Sequence, residues 1–192
     1  MKLPRMLLPL IPMTALLASC GGPSTPAPSA VSGSAQTSPT AIQNADAGDQ
    51  AMTAEEQLIL AATNAARATG QTCGKTFYPA APAVTWNGYL AAAARAYAQD
   101  MATRNYFHHD HTDLQGRKPS QRVEAAGYTG WRRVTENIAA GVTVKTVVDE
   151  WIASETHCVN LMDPNLKEVG IGLTTSRTST YGTYFVQDFG TR

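Results

Sequence analysis

Apolar residues recur at helical spacing over the part of the chain that follows Thr53. Thr53 and Glu56 have the spacing of a capping box and predict the start of a helix, which Gly70 ends. Asn87 predicts the cap of a second helix that ends near Asn105. The apolar positions on one face of the first helix are Leu58, Ala61, Ala62 and Ala65. Those of the second helix, which we expect to be buried, are Leu90, Ala94, Tyr97 and Met101.

The period of the pattern changes further along the chain. Pro119 predicts the start of a short third helix, and Thr143 the cap of a fourth helix with Trp151 on its apolar face. Strands are predicted at residues 135–140, 169–173 and 184–189. Because helices come first and a strand hairpin comes last, this order predicts an α+β fold whose antiparallel sheet is covered by helices.

Residues 1–20 are typical of a signal peptide rather than of a folded element. Lys2 and Arg5 precede a short apolar run, which is too brief to span a bilayer as a helix. The sequence Leu-Ala-Ser-Cys that ends at Cys20 resembles a bacterial lipobox. We therefore expect Cys20 to carry a lipid and to anchor an exported protein to a membrane. The alternative is an ordinary secretory signal that contains a chance cysteine.

Composition separates the next segment from the rest of the chain. Residues 21–52 contain no Lys, Arg or aromatic residue, and such a segment is predicted to be a disordered linker because it buries too little apolar surface. Residues 53–192 have the size of one domain. The chain has 15 Lys and Arg against 15 Asp and Glu. We expect no nucleic-acid partner, because such binding depends on neutralising phosphates.

The number of cysteines is consistent with a protein that folds in an oxidising compartment. If Cys20 is lipidated, Cys73 and Cys158 remain as an even pair and are predicted to form a disulfide. That bond would be worth about 4 kcal/mol through chain entropy and would fix the early part of the domain to the segment that carries His157. Two buried free thiols are the alternative.

A dispersed set of histidines and one glutamate carries the candidate chemistry. Glu136 and His157 flank the fourth predicted helix, and His108, His109 and His111 lie upstream of it. Two imidazoles and a carboxylate make a workable Zn²⁺ site with a position open for water. A hydrogen-bonded polar network is the alternative. A pairing of Ser154 with His157 as nucleophile and base lacks an acidic group to orient it, and we assign no catalytic residue.

Several ordered motifs resemble the CAP superfamily, also called SCP/TAPS or PR-1-like, and its bacterial branch most closely. They are NYF followed by His, then GRKPSQR, AAGY, ENIAAG and W-x-x-S-x-x-H-x-x-N-L, in a stretch from about Glu55 to Phe189. The resemblance implies a three-layer α-β-α sandwich with a central antiparallel sheet, and it assigns residues 53–192 to one CAP domain. It also implies a cleft lined by two histidines and one or two acidic residues.

The family pattern is carried over residue by residue. Glu136 matches the acidic residue of the ENI motif, and His157 matches the histidine of the later motif. Counting forward from NYF selects His109 as the first histidine, whereas counting back from Gly116 selects His111; we prefer His109. A second acidic residue falls near Glu155, where bacterial members often lack one. Arg122 is expected to tie the third helix to a carboxylate.

The resemblance implies a binding protein more readily than an enzyme. We expect a monomeric domain at the cell envelope or outside the cell, which binds a small apolar ligand, an envelope component or another protein. Zn²⁺ held by His109, Glu136 and His157 is the expected cofactor if there is one. The rival hypothesis is a metal-dependent hydrolase that acts on peptide or cell-envelope polymers.

Overall fold

The computed structural model describes residues 50–192, and these form helices on both sides of one central sheet. The helices are α1 (Ala54–Thr69), α2 (Gly88–Arg104), α3 (Pro119–Ala125), α4 (Val147–Ala153) and α5 (Glu155–Met162). The strands are β1 (Gln71–Cys73), β2 (Thr76–Tyr78), β3 (Thr85–Trp86), β4 (Arg133–Ala140), β5 (Glu168–Thr175) and β6 (Thr183–Thr191). The signal peptide, Cys20 and most of the predicted linker lie outside the described residues.

The central sheet has the strand order β3-β5-β6-β4. Its three long strands are antiparallel, whereas the two-residue β3 pairs with β5 in parallel. Helices α2 and α3 cover one face, which we call the α2 face, and α1, α4 and α5 cover the other, the α1 face. The α-β-α sandwich is therefore confirmed, with β3 as a short parallel addition to the expected antiparallel sheet. Strands β1 and β2 form a separate hairpin that the pattern did not predict.

On the α2 face, helix α2 lies unusually close to β5. A Cβ atom added to Gly170 or Gly172 of β5 would overlap the backbone of α2 at Ala91 or Arg95. The predicted inner face of α2 is fully buried, as Leu90, Ala94, Tyr97 and Met101 are each at most 1% exposed. Small side chains on both elements therefore let the two backbones approach each other.

Helix α1 buries a different face from the one that its apolar residues suggest. Leu58 is 61% exposed, and Ala61, Ala62 and Ala65 are exposed as well. The buried positions include Thr63 and Arg67. The long-range contacts of these two residues, which periodicity does not report, set the orientation of the helix.

Those contacts are polar and reach distant parts of the chain. Thr63 accepts a hydrogen bond from the side chain of Gln187. Arg67 donates to four backbone carbonyls, which belong to Pro82, Leu161, Asp163 and Leu166. A buried guanidinium with this many acceptors fixes the rotation of α1 about its own axis.

Two further tertiary contacts link distant parts of the chain. Cys73 and Cys158 form the predicted disulfide, which joins β1 to α5. Arg95 donates to the side chain of Gln50 and to the carbonyl of Ala51, at 2.6 and 2.8 Å. Gln50 and Ala51, which the pattern assigned to the linker, are thus held against α2. Among residues 50–192, no helix is both long and apolar enough to cross a membrane.

Candidate functional site

The candidate cleft lies at the edge of the sheet formed by β4. Glu136 of β4 pairs across the sheet with Asp188 of β6 and contacts groups of the α2 face. His111 comes from the loop between α2 and α3, and His157 from α5 on the α1 face. An edge strand lets side chains from the two covering layers meet, and the rings of His111 and His157 lie 6.1 Å apart there.

Glu136 is held by contacts to both of its carboxylate oxygens. Its Oε1 lies 2.8 Å from Nδ1 of His111, and its Oε2 accepts a hydrogen bond of 2.7 Å from Nη2 of Arg122. The side chains of Glu136 and Arg122 are 0% and 5% exposed. Burial alone would lower the pKa of Arg122, but Glu136 raises it. The predicted tie between the third helix and a carboxylate is present in the structure.

The histidine that contacts Glu136 is His111. His109, which counting from NYF favoured, packs edge-on against Phe107 with ring centroids 5.1 Å apart and is exposed. His111 has a left-handed backbone conformation at φ 61°, and its ring reaches Glu136. The structure therefore places His111 rather than His109 against the carboxylate. The preference for His109 came from counting residues along the chain, and such a count does not show the left-handed turn at His111.

His157 faces the cleft from α5. Its backbone carbonyl accepts a hydrogen bond of 3.1 Å from Asn137, while Asn160 donates to the carbonyl of Glu136. Burial lowers the pKa of His157, and the neighbouring imidazoles of His111 and His109 lower it further. A neutral imidazole is therefore favoured here at neutral pH. The two asparagines fix α5 to the edge strand, so the position of His157 follows from backbone contacts.

Of the predicted zinc ligands, Glu136 and His157 lie at the cleft with the alternative His111, whereas His109 packs against Phe107. Among residues 50–192, no three His, Cys, Asp or Glu side chains are arranged so that they could hold a metal ion. Each oxygen of Glu136 already has one contact, and the positive charge of Arg122 at Oε2 opposes the binding of a cation there. His111 and His157 remain as the nitrogen donors. Zinc binding by the predicted set stays a prediction.

The remaining candidates lie away from the cleft. Ser154 Oγ lies 3.4 Å from the hydroxyl of Thr156, and no hydrogen bond joins it to His157 in the described part of the chain. Glu155, near the position of the family's second acidic residue, lies against Gly74 of the β1–β2 hairpin. Neither residue completes a catalytic arrangement in the cleft.

Asp188 is a member of the site that the sequence reasoning missed. It is 0% exposed, and if Asp188 and Glu136 are both ionised, neither carboxyl oxygen of Asp188 has a hydrogen-bond partner. Burial and the nearby Glu136 raise the pKa of Asp188 well above its ordinary value, although Arg122 opposes this. As a protonated acid, Asp188 could donate to Glu136. Asp188 is the one charged residue of β6, and this was the signal for it.

Two of the grooves formed by residues 50–192 lie on opposite faces of the sheet. The groove between α2 and α3 has a volume of about 530 Å³ and contains five charged side chains, namely Asp100, Arg104, Asp113, Arg117 and Arg122. The groove between α1 and α4 has a volume of about 610 Å³ and contains one charged side chain, that of Asp149. Its apolar lining consists of Ala62, Ala65, Ala66, Val148, Ile152 and Ala153. The α1–α4 groove is therefore the more apolar of the two.

The sequence also matches a known protein family. The model of the cysteine-rich secretory protein family, CAP, matches residues 60–189. This chain belongs to the CAP family. It is 35% identical over 101 residues to the uncharacterized protein YkwD of Bacillus subtilis (strain 168), and the match covers 52% of this chain and 36% of YkwD. The match thus spans about a third of the length of that relative.

Solved structures of other CAP proteins share the fold. An outer surface protein from Borrelia burgdorferi has a TM-score of 0.60 at 20% identity, over 76% of this chain and 98% of that one. An extracellular protein containing an SCP domain from Bacillus anthracis str. Ames has a TM-score of 0.55 at 24% identity, over 72% of this chain and 40% of that one. At such identities the likeness concerns the fold alone.

Proposed function

We propose that this CAP protein is an exported, non-enzymatic binding protein of the cell envelope and that its domain binds a small apolar ligand. Support for the location comes from the similarity to an outer surface protein and to an extracellular protein. The lipobox-like sequence at Cys20 supports a lipid anchor. Removal of the anchor by Cys20→Ala should release the protein from the membrane fraction, which immunoblotting of cell fractions would measure.

The observation that carries the ligand proposal is the apolar groove between α1 and α4. Ala62 and Ala65 of α1 contribute to one wall of the groove, and Ile152 of α4 forms part of the other. Leu58 on the same helix as the alanines is 61% exposed. Pockets for small molecules have volumes of about 300–1,000 Å³ and mainly apolar linings, and this groove fits both criteria. Since it offers a single charged group, a neutral ligand fits it better than an ion.

A pair of matched variants tests this proposal. Ala65→Glu introduces a charge into the α1–α4 groove, and Ala96→Glu introduces the same charge at an alanine in the α2–α3 groove. Binding of the neutral dye Nile red, followed by its fluorescence, should weaken at least about tenfold in Ala65→Glu and stay unchanged in Ala96→Glu, since a dye in the α1–α4 groove would cover the new charge and burying an unpaired charge is costly. Competition with lipids extracted from the envelope then identifies the class of the natural ligand. Equal dye affinity in both variants, or no dye binding at all, would overturn the proposal.

The contact between His111 and Glu136 favours a second candidate, the metal-dependent hydrolase. Histidines that ligate metals commonly donate their other ring N–H to a carboxylate, and the pair at 2.8 Å has this form. Calorimetric titration with Zn²⁺, and hydrolysis of peptide and envelope polymers with and without chelator, test it. Turnover that is lost with chelator and in His157→Ala would support the hydrolase. Turnover that survives both would eliminate a metal mechanism, and no turnover over a broad panel would favour binding.

A further inference from the structure

Arg122 contacts both of the groups that orient His111 in the cleft, namely the side chain of Glu136 and the backbone carbonyl of His111 itself. Its Nη2 donates to Glu136 Oε2 at 2.7 Å, and its Nη1 donates to the backbone carbonyl of His111 at 3.0 Å. The same Nη1 donates to the carbonyl of Arg117 at 2.7 Å. One side chain thus holds both the backbone of His111 and the carboxylate that its ring contacts.

The position of Arg122 is itself fixed by its surroundings. The residue is 6% exposed, and its guanidinium carbon lies 3.7 Å from the centre of the Tyr97 ring. Tyr97 in turn donates through its hydroxyl to the carbonyl of Thr112, next to His111. A planar guanidinium can make parallel contacts of this kind, whereas a lysine ammonium provides a single point of charge. The position therefore requires arginine for its geometry as well as for its charge.

The contact with Glu136 decides which ring nitrogen of His111 carries the proton. An ionised carboxylate only accepts hydrogen bonds, so Nδ1 of His111 must donate across the 2.8 Å contact. In the neutral ring, Nε2 is then left with its lone pair. Arg122 keeps the other oxygen of Glu136 occupied and thereby orients Oε1 toward His111. Without this restraint the carboxylate could rotate away from the ring.

We infer that Arg122 is a positioning residue: through Glu136 and the His111 carbonyl, it fixes His111 in the Nδ1–H tautomer and leaves Nε2 as an acceptor in the cleft. The cleft then offers an unprotonated imidazole nitrogen to whatever it binds. This inference is independent of the ligand proposed for the α1–α4 groove.

The test is ¹⁵N NMR of the histidine rings at about pH 8.5, where an ordinary histidine is neutral. The wild-type protein should show His111 as the Nδ1–H form. In Arg122→Gln the ratio of Nδ1–H to Nε2–H forms should fall by about tenfold, because the charge-assisted contact that orients Glu136 is lost. Arg122→Lys, which retains the charge without the fork, should give an intermediate ratio.

A matched control separates positioning from general loss of stability. Arg67 is also buried, at 0% exposure, but its hydrogen bonds go to the backbone carbonyls of Pro82, Leu161, Asp163 and Leu166 and not to His111 or Glu136. Arg67→Lys should therefore destabilise the domain without changing the tautomer of His111. If both Arg122 variants fail to fold, Glu136→Gln provides the readout, because an amide can donate or accept and should permit both tautomers. A single Nδ1–H form in every folded variant would overturn the inference.

Discussion

The two faces of the central sheet are built from different kinds of side chain. On the α2 face, α2 packs through alanines over the glycines of β5, and the ionisable groups buried on this side include Arg122, Glu136 and Asp188. The α1 face has one large apolar cluster and a disulfide. The large side chains of that cluster include those of Trp151, Phe185, Phe189, Leu161 and Met162.

This difference assigns separate tasks to the two faces. Each fully buried large apolar side chain contributes roughly 1.5–3 kcal/mol, so the α1 face supplies much of the stability of the domain. Buried ion pairs are weak evidence for stability, because desolvation offsets most of their attraction. The α2 face instead fixes the geometry of the cleft through Arg122 and Glu136. Changes in the buried core of the α1 face should therefore act on folding, and changes among the buried groups of the α2 face should also alter the geometry of the cleft.

The largest effect should come from removing the disulfide of the α1 face. Cys73 and Cys158 are 85 residues apart in the sequence, and opening this loop in the Cys73→Ala/Cys158→Ala variant should cost about 4 kcal/mol in the free energy of unfolding. Urea denaturation followed by circular dichroism measures it. Reduction of the wild-type protein should lower stability by a similar amount. A loss below about 1 kcal/mol would mean that the apolar cluster holds the α1 face without the bond.

A slightly smaller loss should follow from separating α2 from the sheet. A Cβ atom in Gly172→Ala would overlap the backbone of α2 at Arg95, and the required displacement should cost about 3 kcal/mol. Gly116→Ala is the control, because nothing lies within 4 Å of its added Cβ and only its φ of 75° is unfavourable. That control should lose about 1 kcal/mol. Equal losses in thermal unfolding would show that the close approach does not hold the α2 face together.

The fold of the α2 face could be predicted from local pattern, whereas the orientation of α1 could not. The inner residues of α2 repeat at helical spacing, and Leu90, Tyr97 and Met101 are buried as expected. In α1 the same reasoning picked out exposed residues such as Leu58, because the helix is oriented by bonds from Arg67 to carbonyls 94 to 99 residues away. Periodicity carries no information about partners at that distance.

For the candidate site, most of the residues could be predicted from the sequence, but their arrangement could not. Glu136 and His157 follow from motifs, and Arg122 was expected to bind a carboxylate. His111 takes the place expected for His109 because its left-handed φ of 61° changes the direction of the loop, which a residue count does not show. Asp188 was missed because its role depends on the register of β4 with β6, which places it opposite Glu136. Strand register is a property of the assembled sheet.

The smallest predicted effect concerns Asp188, a buried acid of the α2 face whose carboxyl oxygens accept no hydrogen bond. The pKa of Asp188 is raised in the folded state by burial and by Glu136, so the folded protein retains a proton that the unfolded chain releases near about pH 4. Its contribution to stability is therefore complete below that pH and is lost as the pH rises toward the raised value. Asp188→Asn does not titrate and can still donate to Glu136. It should gain about 1 kcal/mol at neutral pH relative to the wild-type protein, and this gain should vanish near about pH 4.

Asp113 on the same side of the sheet provides the opposite case. Burial alone would raise the pKa of Asp113, but hydrogen bonds from the backbone and side chain of Arg117 and from the backbone of Gln115 lower it. Asp113 therefore stabilises the fold above its ordinary pKa, and this contribution is lost as the pH falls. Asp113→Asn should lose stability at neutral pH, and the loss should shrink toward about pH 3. Urea denaturation of both variants between about pH 3 and pH 8 measures the two slopes. If Asp188→Asn also loses stability at neutral pH, the buried acid is ionised and bound by a donor, and the α2 face would then be a satisfied ionic network.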